Sequence, residues 1–242
     1  RTTRQESPMA ERVPITAETL GAIEVLKDLS FEQRSAVAER CRGFRYAKEE
    51  PVFHRQDPST DVLFIVSGRV SITLYSRSGR KTDLRAMSQG EMFGEIAAID
   101  SKPRSADVVA DEESLIVSAT AQVFNDLLGS HPAVAYGTLR HLTALVRSLS
   151  DRVFEYDRFP VPARVRLELY RQAQPNRRED GTAPIVPAPK HADLAARVGT
   201  HREAVSRELS KLAKENIARR DGRALVVLDM RALLRDLDED AT

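Results

Sequence analysis

Between Gly90 and Ala106 the chain runs Gly90-Glu91-Met92-Phe93-Gly94-Glu95-Ile96-Ala97-Ala98-Ile99-Asp100-Ser101-Lys102-Pro103-Arg104-Ser105-Ala106, the stretch best equipped to capture an anion. A glycine at a helix start leaves backbone amides free for a phosphate, and an arginine supplies forked donors to the same group. Glu95 adds a carboxylate able to accept from a sugar hydroxyl. Each residue alone has an ordinary use, since carboxylates suit helix N-termini and an arginine after a turn is a common surface cation. Gly-Glu-Ile-Ala followed closely by Pro-Arg-Ser-Ala argues for a combined phosphate and sugar site.

A second constellation lies between His191 and Arg223. Helical patterns over His191–Val198 and His201–Asn216 flank Gly199-Thr200, and Leu194, Val198, Val205, Leu209 and Leu212 fit a core shared between them. From Ile217 to Val227 the pattern is strand, Asp221-Gly222 turn, strand. Two helices joined at a glycine and followed by a hairpin make a winged helix-turn-helix. Eight basic residues stand here against five acidic ones, a local +3. Arg202, Glu203 and Arg207 project together from the start of the second helix, where arginine can read guanine and glutamate can accept from cytosine. The plainer alternative is a surface pair between Glu203 and Arg207 worth about 0.2–0.5 kcal/mol. The buried spacing on both sides and the intervening glycine favour a reading helix.

These groups need a frame. Leu20, Ile23, Leu26, Leu29, Val37 and Cys41 predict two short helices between Thr16 and Arg42, the second opened by a Ser30/Gln33 capping box. Short β-rich runs follow at Pro51–His54, Val62–Ser67, Arg69–Tyr75, Lys81–Ala86 and Leu115–Ser118, separated by turn signals at Asp57-Pro58, Ser67-Gly68, Ser78-Gly79 and Gln89-Gly90. Such a series predicts an antiparallel barrel or sandwich. From Pro132 to Asp157, Leu139, Leu142, Val146, Leu149, Val153 and Tyr156 recur in steps of three and four, as on a long helix with an apolar seam. The seam fits either a dimer or packing on the chain's own barrel. Phe159-Pro160-Val161-Pro162 ends that helix and marks a domain boundary. A helix over Ala163–Ala173 and a proline-rich loop from Gln174 to Lys190 lead into the helix-turn-helix. Arg1 to Arg12 reads as a loose polar tail.

Composition narrows the partners. In 242 residues, 37 Lys+Arg against 36 Asp+Glu leave +1, so a nucleic acid must be held by a local patch rather than by the whole chain. One cysteine, Cys41, excludes an intramolecular disulfide, a four-cysteine cluster or a cysteine-rich zinc site, as expected of a cytoplasmic protein. Apolar runs fall far short of the ~20 residues that cross a bilayer, so no membrane partner is expected. His54, His131, His141, His191 and His201 show no metal-binding pairing, and neither a Gly-x-Ser-x-Gly elbow nor a Walker loop occurs, so no enzyme and no metal are expected.

At these motifs the chain resembles the bacterial cyclic-AMP receptor protein family of transcription regulators, over roughly Leu20 to Leu237. The resemblance implies an α+β architecture: an N-terminal antiparallel β jelly-roll cyclic-nucleotide-binding barrel (20–131, after an extension over 1–19), a dimerisation helix (132–158) and a C-terminal winged helix-turn-helix DNA-binding domain (159–242). It implies that Phe93-Gly94-Glu95-Ile96-Ala97 through Arg104-Ser105-Ala106 form the phosphate-binding cassette. Glu95 would hold the ribose 2′-hydroxyl, Arg104 and Ser105 the cyclic phosphate, and the amides near Gly94 and Ala97 would assist. Ile72, Leu84, Arg85 and Phe93 would line the base and sugar, with Leu149 and Ser150 of the long helix meeting the base. Arg202, Glu203 and Arg207 match the family's reading triad and imply a TGTGA-like half-site, repeated in a palindrome read by a homodimer whose seam is the long helix. Lys190, His191, Thr200, His201, Ser206 and Lys211 fall on the same DNA-facing segment, and RNA polymerase is a further candidate partner.

The family's iron–sulfur members carry N-terminal cysteines that are missing here. His54 could be a haem or metal ligand, as in gas-sensing relatives, although a lone histidine on a barrel strand is more often structural. Gln56-Asp57 stands where the family usually has Gly-Asp in a turn, which must then accept a residue less tolerant of positive φ. Leu149 and Arg85 also depart from the usual polar residues and bear on base choice. A serine hydroxyl can donate or accept, so Ser150 serves adenine or guanine. The effector expected is cAMP, with cGMP or dual binding as the alternative and a ligand-independent DNA-binding dimer as the other.

Overall fold

The structure, a computed structural model, describes residues 10–75 and 81–235, with backbone alone at 81–84. It forms two compact units, 1–145 and 146–242, that divide within one long helix.

The first unit runs β1 (Glu11–Val13), α1 (Ala17–Gly21), α2 (Phe31–Ala38), β2 (Arg42–Tyr46), β3 (Pro51–Phe53), β4 (Val62–Ser67), β5 (Arg69–Tyr75), β6 (Lys81–Ser88), β7 (Met92–Phe93), α3 (Glu95–Asp100), β8 (Asp107–Ala110), β9 (Ser114–Ala119), α4 (Ala121–Ser130) and the start of α5 (Pro132–Arg158). Two antiparallel sheets, β1-β2-β9-β4-β7 and β3-β8-β5-β6, make the expected jelly roll. Between them lies a core of Phe44, Tyr46, Leu63, Ile65, Val70, Met87, Phe93, Val108 and Ile116.

The alternate residues Val62 and Phe64 point the other way, into a second core with Leu20, Ile23, Leu26, Val117, Phe124, Leu127 and Val134 under the helices. Because β4 is buried on both faces, it reads as an unbroken apolar run instead of an alternating one. Burying each such side chain contributes roughly 1.5–3 kcal/mol. The predicted capping box is present: Ser30 Oγ accepts from the Gln33 amide at 3.2 Å, and the Ser30 amide donates to Gln33 Oε1 at 2.8 Å.

Three expectations need correction. The polar tail does not extend to Arg12, because Glu11–Val13 pairs antiparallel with Gly43–Arg45 of β2. β2, β8 and α4 form where no element was expected. The segment 174–190 is not all loop, since it holds β10 (Ala183–Ile185), paired with Leu225–Val227. Pro184 argues against a strand from local signals, yet β10 is an edge strand, where a missing amide is tolerated. The Ser78-Gly79 turn lies outside the described residues.

The second unit holds the rest of α5, then α6 (Val161–Ala173), β10, α7 (His191–Val198), α8 (Arg202–Lys214), β11 (Ala218–Asp221) and β12 (Ala224–Val227). Val165, Leu169, Leu194, Val205, Leu212, Val227 and Leu233 form its core, with Leu209 packed at the edge. The turn between α7 and α8 is set by Gly199, in the left-handed region at φ 65°. A Cβ there would lie 2.6 Å from the Tyr156 ring, so α5 packs on the turn where only glycine fits. Among the described residues no helix is long and apolar enough to cross a membrane.

Candidate functional site

The stretch suited to an anion folds as β7, α3 and the loop that leads to β8. β7 delivers Phe93, Gly94 turns the chain at φ 83°, and α3 starts at Glu95. Arg104 returns to the same place. Its side chain is buried, at 2% exposure, with Nε donating to Ser59 Oγ at 3.0 Å, Nη1 to the Gly94 carbonyl at 3.1 Å and Nη2 to the Asp61 carbonyl at 2.8 Å. The guanidinium also lies 4.1 Å over the Phe53 ring, which packs 5.8 Å from the Phe93 ring. Backbone bonds anchor Arg104 as well: its amide donates to the Asp57 carbonyl and its carbonyl accepts from the Gln56 amide, both at 2.9 Å.

The departure at Gln56 is accommodated. Gln56 takes φ 72°, in the left-handed region that favours glycine, and Asp57 steadies the turn by accepting from the His54 amide at 2.8 Å. Single residues in this region cost on the order of 1 kcal/mol, which such bonds can offset.

Glu95 sits beside this frame with its side chain only 5% exposed. Its Oε1 lies 3.4 Å from Nε2 of His141 on α5, an imidazole that is itself 14% exposed. His141 is a neighbour of Glu95 that the sequence spacing did not single out. Nor did it single out Phe53, Ser59 and Asp61, beside Arg104. Their signal was absent because a loop 43 to 51 residues earlier in the chain meets Arg104 only through the folded barrel.

The remaining expected residues differ in their exposure. Phe93, Ala97 and Ala106 are buried, Ile96 and Ser105 are exposed, and Ile72 is half-buried against the inter-sheet core. Arg85 pairs with Glu91. The Leu84 side chain lies outside the described residues. Leu149 and Ser150 are exposed on the part of α5 that belongs to the second unit.

On the second unit, Arg202, Glu203 and Arg207 are exposed along α8, and among the described residues no ion pair joins Glu203 to Arg207. Ser206, Arg207, Ser210, Lys211 and Lys214 line a recess on the same helix. His201 caps α8 and Lys190 caps α7, both exposed, while half-buried His191 places Nδ1 2.7 Å from Ser206 Oγ. Thr200 is buried, its amide donating to the Ala195 carbonyl at 2.9 Å. The orientation of α7 is held by Arg152, which donates to the Arg197 carbonyl at 2.7 Å, and by an Arg197–Glu168 ion pair at 3.3 Å.

Along α5, Tyr136, Leu139, Val146 and Val153 are each more than half exposed and share one stripe of the helix, with Leu149 beside it. Leu142 is half-buried and Tyr156 turns to Gly199.

Comparison with known proteins agrees with both halves of this arrangement. Residues 44–131 match the cyclic nucleotide-binding domain, and residues 163–236 match the Crp-like helix-turn-helix domain. The chain is 30% identical over 178 residues to the cyclic AMP receptor protein of Thermus thermophilus, covering 72% of this chain and 78% of that one. It is 25% identical over 202 residues to the CRP-like cAMP-activated global transcriptional regulator of Mycobacterium tuberculosis, covering 83% and 90%. Among solved structures, a CooA variant from Carboxydothermus hydrogenoformans shares the fold at a TM-score of 0.76 and 20% identity, covering 93% and 97%.

Proposed function

Because the chain belongs to the cyclic AMP receptor protein family, a family of transcription regulators and not of enzymes, we propose that it is a cAMP-responsive homodimer that binds a TGTGA-like palindrome. The observation that carries the sensor reading is that buried Arg104 bonds the Gly94 carbonyl, next in the chain to Glu95, which is buried too. One is an acceptor suited to a ribose hydroxyl and the other a forked donor suited to a cyclic phosphate. Arg104 reaches the phosphate by exchanging neutral carbonyl acceptors for an anionic one, a stronger class of hydrogen bond.

The exposed stripe on α5 supplies the dimer seam, an apolar surface that a second copy would cover. Two reading helices then meet half-sites about one DNA turn, ~34 Å, apart. Nucleotide control requires that the ligand bind one arrangement of the dimer more tightly than the other, since equal affinity shifts nothing. The regulator works in the cytoplasm, where DNA and RNA polymerase are available to it.

A second reading, a nucleotide-indifferent regulator, is favoured by the partners that Arg104 already has in Ser59, Gly94 and Asp61. Calorimetric titration with cAMP and cGMP in parallel, followed by DNA binding with and without each, separates the two. Saturable cAMP binding that tightens DNA binding and is lost in Arg104→Leu supports the sensor. A response to cGMP alone reassigns the effector. DNA binding indifferent to both nucleotides leaves the second reading.

A further inference from the structure

We propose that His141 is a further residue of the nucleotide site and that the cyclic nucleotide binds together with one proton, carried by His141. The inference rests on the reading of this site as a cyclic-nucleotide site.

Charge balance is the first argument. Glu95 and Arg104 cancel, and a cyclic phosphodiester adds one negative charge to a largely buried site. A net charge out of water is costly unless a counter-charge accompanies it. His141 Nε2 lies 3.4 Å from Glu95 Oε1 and is itself largely buried, so an imidazolium there supplies a counter-charge beside Glu95 as the ligand's charge enters. Imidazole is the side chain whose protonation changes in the neutral range, which makes it suited to taking up that proton.

Geometry is the second. α5 passes close to Val25 at Gly137, where a Cβ would stand 3.6 Å from the valine side chain. One residue on, buried Thr138 donates to the Val134 carbonyl at 2.9 Å. His141 follows at i+4 from Gly137 and i+3 from Thr138, on the same inward side of the helix. It reaches one carboxylate oxygen of Glu95 and leaves the other to a ribose hydroxyl, so it positions the acceptor without displacing the ligand.

The charged neighbours do not substitute for it. Glu95 faces it from α3, and Arg104, bonded to the Gly94 carbonyl, comes from the loop before β8. Asp61, ahead of β4, accepts from Ser118 Oγ at 2.8 Å. Arg140, beside His141 on α5, is exposed, and Lys27 on the facing turn is paired with Glu24 at 2.5 Å.

The test is calorimetric titration of the full chain with cAMP from pH 6 to pH 8, in two buffers of different ionisation enthalpy, for the wild type, His141→Asn and His141→Lys. The expected result is net proton uptake in the wild type, with affinity rising as pH falls by at most about tenfold per unit, the limit for one linked proton. His141→Asn should bind more weakly at pH 6 with a flat profile, and His141→Lys should bind at pH 8 at least as tightly as the wild type, also with a flat profile. Wild-type binding with no proton uptake, or unchanged uptake in His141→Asn, overturns the inference while leaving the nucleotide site in place. Should His141→Asn fail to fold, the wild-type uptake and the lysine variant decide. Failure of cAMP and cGMP to bind at any pH overturns the nucleotide reading itself, and this inference with it.

Discussion

Arg166 of α6 donates through Nε to Glu208 Oε1 of α8 at 2.5 Å, with the two side chains only 4% and 5% exposed. The pair crosses from the helix that follows the long helix to the helix that carries the proposed reading triad. With buried Val205 and Leu212, it ties one face of α8 to the core and leaves Arg202, Glu203 and Arg207 exposed.

Breaking this pair on one side should be severe and removing both sides mild. Glu208→Ala takes the nearer carboxylate from a buried guanidinium, whose contact with the more exposed Glu215 carboxylate is at 3.9 Å, and should cost up to about 3–5 kcal/mol in urea unfolding. Replacing both partners by apolar residues, as in Arg166→Met with Glu208→Leu, should recover most of that stability. The double variant should still weaken sequence-specific DNA binding if the pair sets the rotation of α8. Equal losses in single and double variants would show that the pair contributes packing only.

Gly94 makes a second, local prediction. An alanine Cβ there would lie 2.4 Å from Arg104 Nη1 and 2.9 Å from the Asp61 carbonyl, in a backbone already at φ 83°. Gly94→Ala should cost roughly 1–3 kcal/mol of stability and also displace Arg104, so nucleotide binding should fall with it. Gly129→Ala is the control. Nothing lies within 4 Å of a Cβ at Gly129 in α4, so this change should be neutral or stabilise by up to about 1 kcal/mol.

What the sequence made legible follows from where each signal resides. The Ser30/Gln33 box, the Asp221-Gly222 hairpin and Gly199 are readable because their chemistry is complete within four residues. β1 and β10 were not, since each is a three-residue strand whose only support is a partner 30 or more residues away. The cassette itself was visible as a motif, but His141 was not. A histidine on an amphipathic helix carries no mark of the carboxylate it will meet 46 positions earlier in the chain.

Cys41 gives a pH prediction. Burial pushes its thiol up to about 11 from 9.0, despite the opposing charge of Arg40. Between about pH 9 and 11 the folded protein then keeps a proton that the unfolded chain loses, so stability falls as pH rises through that window and is unaffected below it. Cys41→Ser should remove this alkaline component, measured by urea midpoints from pH 7 to 10.5. At pH 8 the native thiol should also react with iodoacetamide about 100-fold more slowly than the unfolded thiol, because only the thiolate attacks. Equal rates would mean that the thiol is not buried in solution.

The proposed reading helix supplies the last prediction, in which two exposed cations at different points along it should behave differently. Arg202 stands at the first position of α8, where a side chain can reach a base edge, whereas Lys211 lies two and a half turns further on beside Lys214 along the flank. Arg202→Ala should cost about 1–3 kcal/mol on a TGTGA-type site and far less on random duplex, relaxing specificity at one base pair. Lys211→Ala should weaken both duplexes alike and lower the slope of log K against log salt by about 1, the mark of a lost phosphate contact. Titrations of labelled specific and random duplexes at several salt concentrations measure both quantities at once. A uniform loss for Arg202→Ala would move it to the phosphate backbone and leave Glu203 and Arg207 to read the bases.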